Sequence, residues 1–131
     1  MAEHPHIQAM RRCMQAGSAR DIDTLQQLFT RDCVVHIPGS HPFAGEHKGV
    51  DAVLDVVRRM HEETNGEVRA EPQQLFIDDR GHAIGIYRFT AERRGRRHDA
   101  ATAAHFTFVG DRIAGIEVYE QDLDQTNQFW N

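Results

Sequence analysis

Cysteine is scarce in this chain. Cys13 and Cys33 stand alone, outside any CxxC spacing, too few for a disulfide framework, and both read as reduced core thiols. Long apolar runs are also missing: none approaches the ~18 to 20 residues of a membrane-spanning helix, and MAEHPHIQAM has neither the basic start nor the apolar middle of a secretory signal. The expectation is a cytoplasmic protein with no membrane partner. An excess of positive charge is absent as well. Twenty acidic residues against fifteen basic ones give a formal net charge of −5, which argues against a surface built to track phosphates. The one basic cluster, RRGRRH from Arg93 to His98, centres on Gly95 and has no interleaved aromatic, so it reads as a solvated hairpin tip with no nucleic-acid partner. Nor do the nine histidines make a metal centre. His36, His41 and His47 fall on a strand end and a loop without zinc spacing or neighbouring cysteines, so no metal is expected. Nucleophilic catalysis lacks support, because Ser18 and Ser40 have no elbow motif and Cys13 lies within a helix.

What is present is a clear change of period. A chain of 131 residues suffices for one domain, 1–131, that buries roughly two thirds of its unfolded surface. Ile7, Met10 and Met14 mark a first helix, stopped at Gly17. Asp21 is an N-cap for a second helix with Ile22, Leu25, Leu28 and Phe29 on one side. CVVHI follows as a short strand. Past a loop rich in proline and glycine, Val50, Val53, Leu54, Val57 and Met60 mark a third helix, closed by TNG at 64–66. From Val68 the period is two, with strands near 68–77, 82–92, 97–109 and 112–121 joined by connections so short that neighbours are antiparallel. Helices followed by a meander predict an α+β domain whose bent sheet folds over the helices.

Parity divides the strands into faces. Taking the larger aliphatics as inward places Ile84, Ile86 and Arg88 inside and leaves Tyr87 and Phe89 outside. In the last strand Ile116, Val118 and Glu120 fall inside and Glu117 and Tyr119 outside. Arg88 on an inner face needs a partner, for which Glu120 or Asp122 serves, or it clamps an anionic substrate.

The segments DIDTLQQLFTRDCVVHIPG, PFAGEHKGVDAVLDVV, TAERRGRR and GDRIAGIEVYEQD, with the closing FW, resemble SnoaL-like members of the nuclear transport factor 2 and ketosteroid isomerase superfamily. The resemblance implies a cone-shaped curved antiparallel sheet wrapped round the N-terminal helices and the long third helix, with an apolar pocket at the wide end. Its members include isomerases, polyketide cyclases and dehydratases besides proteins with no reaction, so the fold alone does not decide function.

The same resemblance puts His36 where ketosteroid isomerases carry their proton-abstracting aspartate, and Asp122 at a place similar to the acid of SnoaL-type cyclases. A histidine near neutral pKa suits proton transfer, although a ligand contact or a structural role also fits His36, and an N-cap fits Asp122. Cys13 stands at the position of the isomerase oxyanion tyrosine and Ala104 near that of its protonated acid, which argues against ketosteroid isomerisation itself. The implied function is cofactor-independent acid–base chemistry on a hydrophobic polyketide- or steroid-like molecule, with His36 and Asp122 catalytic. Arg88, Glu120, Ile86, Phe106, Phe108, Val118, Val57 and Met60 would line the pocket. The alternative is a ligand-binding or dimeric accessory protein without chemistry. A homodimer through Tyr87, Phe89 and Tyr119 on the outer sheet face is expected, since such an aromatic patch is costly to leave in water.

Overall fold

In the computed structural model the described residues are 3–131; residues 1 and 2, at the start of the range read as one domain, lie outside them. Helix α1 (Pro5–Ala19) starts with proline in its first turn and a His4 ring that accepts the His6 N–H. It runs through Gly17, the expected stop, and ends at Arg20 in the left-handed region, φ 55°. Asp21 caps α2 (Ile22–Leu28) by accepting the Thr24 N–H. The chain then passes through β1 (Phe29–Ile37), a short β2 (Gly45–Lys48) that periodicity does not reveal, and α3 (Val50–Thr64). The expected meander follows as β3 (Val68–Ile77), β4 (His82–Arg93), β5 (Arg96–Val109) and β6 (Arg112–Glu120), and α4 (Leu123–Trp130) closes the chain. Among the described residues no helix is long and apolar enough to cross a membrane.

The six strands form one curved sheet in the order β2-β1-β6-β5-β4-β3. The α+β expectation holds, with one correction to the sheet: β1 lies parallel to β6, so the sheet is mixed. Short turns make β3 to β6 antiparallel, but β1 is separated from β6 by α3 and the whole meander, and no hairpin constrains its direction.

Helices α1 and α3 pack on the inner face. That face of β4 carries Ala83, Gly85, Tyr87, Phe89, Ala91 and Arg93, while Ile84 and Arg88 are exposed on the other side. This reverses the register expected from the isoleucines. The reason is steric: a Cβ on Gly85 would sit 3.1 Å from Met14 Cε and 3.3 Å from Leu75 Cδ2, so α1 lies too close to admit an isoleucine there. Tyr87 and Phe89 therefore belong to the interior, and Ile86 and Arg88 to the outer face. In β5 and β6 the expected parity holds, with Ala104, Phe106, Ile116, Val118 and Glu120 inside and Tyr119 outside. The large exposed hydrophobics of the outer face include Phe76, Ile84 and Tyr119, 51%, 48% and 54% exposed. A two-fold pairing through this face would bury these side chains rather than Tyr87 and Phe89.

The basic hairpin is only partly solvated. Arg94 and Gly95 form its tip with φ 50° and 75°, the pair of positive values that a two-residue hairpin turn needs. Arg93 and His98 beside them are buried at 7% and 1% exposure. Arg93 donates Nη1 to the Phe129 carbonyl at 2.7 Å and Nη2 to Glu63 at 3.1 Å, and Arg96 donates to the Gln128 carbonyl at 3.1 Å. Two arginines thus satisfy carbonyls at the C-terminal end of α4, where cations and donors are favoured. Asn127 and Asn131 complete the docking, with Oδ1 of Asn127 accepting the Ser40 N–H at 2.8 Å and Nδ2 of Asn131 donating to the Ser40 carbonyl at 3.0 Å.

Removing Arg93 therefore undoes both the α4 clamp and a half-buried ion pair. Arg93→Met should cost about 2 to 4 kcal/mol in urea unfolding, and emission from Trp130, the only tryptophan, should shift to the red. Arg94→Met at the exposed tip should change neither.

Candidate functional site

Between the inner sheet face and α1, α3 and α4 lies a cavity of about 220 Å³. Hydrocarbon makes most of its wall: Val57 and Met60 come from α3, Phe106 and Val118 from the sheet, and Val35 and Ile37 from β1. A row of three polar side chains crosses this wall. Tyr87 on β4 is the register partner of Thr102 on β5, which is in turn the partner of Glu120 on β6, and all three line the cavity. From above, Thr126 of α4 places its hydroxyl 3.3 Å from Glu120 Oε2. Thr102 Oγ1 is buried beside the same carboxylate without completing a hydrogen bond of standard geometry.

Burial governs the electrostatics of this row. It raises the Glu120 pKa above the usual carboxylate value, against the smaller opposing effect of the Thr126 and Thr102 hydroxyls. Burial also raises the Tyr87 pKa, reinforced by the charge of Glu120 and by Cys13, so the phenol stays a proton donor throughout the physiological range. Cys13 lines the same cavity and is pushed up to about 12 by burial, with Cys33 adding to the shift. It is an unreactive thiol, as its place in a helix suggested.

Four histidines also face the cavity: His41, His47, His61 and His98. Nε2 of His47 meets the Phe43 carbonyl at 2.8 Å, Nε2 of His61 meets the Gly17 carbonyl at 2.7 Å, and Nδ1 of His41 accepts the Phe43 N–H at 3.1 Å. His98 lies in an aromatic cluster, stacked on Phe129 at 5.1 Å and edge-on to Phe89 at 5.9 Å, with Trp130 against both phenylalanines. Among the described residues no three His, Cys, Asp or Glu side chains are arranged to hold a metal ion.

Several expected site residues lie elsewhere. His36 is exposed on the outer face, because its neighbours Val35 and Ile37 take the inward positions of β1 and alternation turns the ring between them outward. Asp122 is exposed and caps α4, accepting the Gln125 N–H at 3.1 Å. Neither contributes to the cavity wall, so the pair does not converge on a common ligand. Arg88 forms a two-pronged ion pair with Asp99 on the outer face, and Ile86 shares that face. Phe108 is buried but packs on the His6 ring, 4.0 Å between centroids, away from the cavity. Val57, Met60, Phe106, Val118 and Glu120 do line it. Sequence reasoning missed Tyr87, His98 and Thr102. With Ala104 taken as inward, parity along β5 already marked residues 98 and 102, and a glycine between Ala83 and Tyr87 was a sign of close backbone approach.

The buried histidines carry a pH signature. Burial lowers the pKa of His41 and His98 below the ordinary 6.5, so their contribution to stability is present above pH 6.5 and is lost as pH falls through the lower folded values. Glu120 acts in the opposite sense: its raised pKa makes its contribution complete below 4.5 and lost on the way up. The lowered carboxyls of Asp21, Asp78 and Asp99 contribute fully above 3.8 and lose that contribution only as pH falls below it. The melting temperature should therefore decline as pH falls below 6.5, and His98→Phe should flatten that slope in thermal scans. An unchanged slope would mean that His98 protonates freely in the fold.

The sequence profile of the SnoaL-like domain matches residues 10–116. Among solved structures, Bal32a from a soil-derived mobile gene cassette is 33% identical, with 97% of each chain covered and a TM-score of 0.94. The uncharacterized protein Rv0034 of Mycobacterium tuberculosis is 28% identical over 130 residues, 99% of each chain. The putative polyketide cyclase SMa1630 of Sinorhizobium meliloti, 24% identical over 86% of this chain and 94% of its own with a TM-score of 0.71, shares the fold. By the extent of the profile match and the likeness to Bal32a, the chain belongs to the SnoaL-like domain family.

Proposed function

We propose that the protein is a cofactor-independent acid–base enzyme of the isomerase or cyclase kind, acting on a hydrophobic carbonyl compound held in the cavity. The observation that carries this reading is the Glu120 row: one carboxyl with raised proton affinity, and across the sheet one phenol kept protonated, in a wall otherwise made of hydrocarbon. The kinship with a fold that also serves a putative polyketide cyclase supports it.

The chemistry is that of a proton moved between two carbons or from carbon to oxygen. Glu120 as carboxylate takes a proton from the carbon next to the ligand carbonyl, and the electron pair moves onto the carbonyl oxygen. The Tyr87 O–H, which burial keeps protonated, donates a hydrogen bond to that oxyanion. Isomerisation ends with Glu120 returning its proton to a different carbon. In an aldol cyclisation the enolate carbon attacks a second carbonyl of the same molecule, and the proton goes to the new alkoxide. Apolar walls strengthen each of these charge interactions by excluding water.

Deuterium exchange at the carbons next to the carbonyl of 2-tetralone, followed by NMR in D₂O, tests the first step directly. The protein should accelerate exchange over buffer. Glu120→Gln should lower the rate by about 10² or more, and Tyr87→Phe by about 10², both with retained fold. Exchange no faster than in buffer would leave a binding protein without chemistry.

A further inference from the structure

Of the polar atoms that are buried without a hydrogen-bond partner among the described residues, Nδ1 of His98, Oγ1 of Thr102 and Nε2 of His41 belong to side chains lining the cavity. Two of these stand on the same face of one strand. His98 is 1% exposed and Thr102 3%, and they are separated on the inner face of β5 only by Ala100. Four residues at ~3.3 Å each put them about 13 Å apart along the strand. Phe89, the register partner of Ala100 on β4, lines the cavity between them.

Thr102 belongs to the Glu120 row, at which a ligand oxygen is already expected. His98 belongs to the opposite, aromatic end, between Phe89 and Phe129. A buried polar atom with no partner costs free energy in the empty protein, and a structural histidine with a partner at this place would avoid that cost. An internal water would need two to four polar partners, and the phenyl rings of Phe89 and Phe129 on either side of His98 offer none. A ligand that reaches this end with a hydrogen-bonding group removes the deficit.

We propose that His98 is the second polar subsite of the cavity, and that the ligand is an elongated, largely aromatic molecule with an oxygen function at each end of its long axis. One oxygen meets the Tyr87, Thr102 and Glu120 row, and the other meets the His98 ring. His98 is a specificity-determining residue in this arrangement and takes no part in proton transfer. The proposal rests on the same cavity as the acid–base reading but concerns equilibrium binding.

Quenching of Trp130, which lines the cavity, gives the affinity of two probes, 4,4′-dihydroxybiphenyl and 4-hydroxybiphenyl. The wild-type protein should bind the two-ended probe about tenfold more tightly, which corresponds to about 1.4 kcal/mol. In His98→Phe and His98→Leu the preference should fall to about one, with affinity for 4-hydroxybiphenyl within about twofold of wild type. Without ligand both variants should melt no lower than wild type, since they delete an atom with nothing to bond. Equal binding of the two probes by the wild type, binding of neither, a preference that survives both substitutions, or lowered melting in both variants would each overturn the proposal. Loss of tetralone exchange leaves the preference standing, and loss of the preference leaves exchange standing, so the two readings fail separately.

Discussion

The contact of Met14 with Gly85 decides which half of β4 looks into the cone. A Cβ at 85 would sit 3.1 Å from Met14 Cε and 3.3 Å from Leu75 Cδ2, so a side chain as large as isoleucine there would push α1 and its neighbours out of place, and period-two alternation then carries the consequence along the strand. Tyr87, Phe89, Ala91 and Arg93 must follow Gly85 inward. One close approach therefore supplies the cavity with its phenol, its aromatic wall and the arginine that holds the last helix. A slip of one residue would exchange these for Ile86, Arg88, Thr90 and Glu92, and would bury two charges where the sheet now has hydrocarbon.

That inward register sets a balance between stability and a polar interior. The inner face keeps Glu120, Thr102, Tyr87 and His98 out of bulk water, and burial shifts the titration of the ionisable groups among them toward their neutral forms. Such groups weaken a fold unless something else compensates. Compensation is concentrated at α4. Arg93 and Arg96 bond its last carbonyls, Asp122 caps its start, and Phe129 and Trp130 pack with Phe43, Val56 and Val68. The helix that covers the polar row with Thr126 is thus itself tied by side-chain hydrogen bonds to the β4–β5 hairpin and to the loop after β1.

Much of this was legible in the sequence, and the failures have a common cause. Helix and strand positions follow from periodicity, and the faces of β5 and β6 follow from parity because Ala104 with Phe106 and Phe108, or Ile116 with Val118, agree on one direction. In β4 the rule that larger aliphatics face inward gave the wrong face. That rule measures hydrophobicity, whereas the inner face where α1 crosses β4 is limited by volume, and Ala83 and Gly85 take it there. β2 escaped notice because four residues of mixed polarity, GEHK, carry no period. The parallel pairing of β1 with β6 is set by the long path between them, which no local pattern encodes.

The loop after β1 shows how a sound local reading leads to a misplaced function. HIPGSH ends a buried strand on an imidazole, and a base at the mouth of a pocket is a reasonable inference from the residue types. The geometry assigns the histidines the other way round: His36 turns to the outer face, and His41, inside the loop, turns in. Gly39 explains the loop's shape, for its φ of 119° and the 2.5 Å between a would-be Cβ and Asn127 Oδ1 leave no room for a side chain. Its rigidity serves to dock α4, through the Ser40 bonds to Asn127 and Asn131. The loop is therefore one wall of the closure over the cavity, and the proton-active groups sit across from it on the sheet, where antiparallel pairing of β4, β5 and β6 fixes Tyr87, Thr102 and Glu120 in one row. Geometry built on paired strands is held by backbone hydrogen bonds to the neighbouring strands, which a loop residue such as His41 does not have.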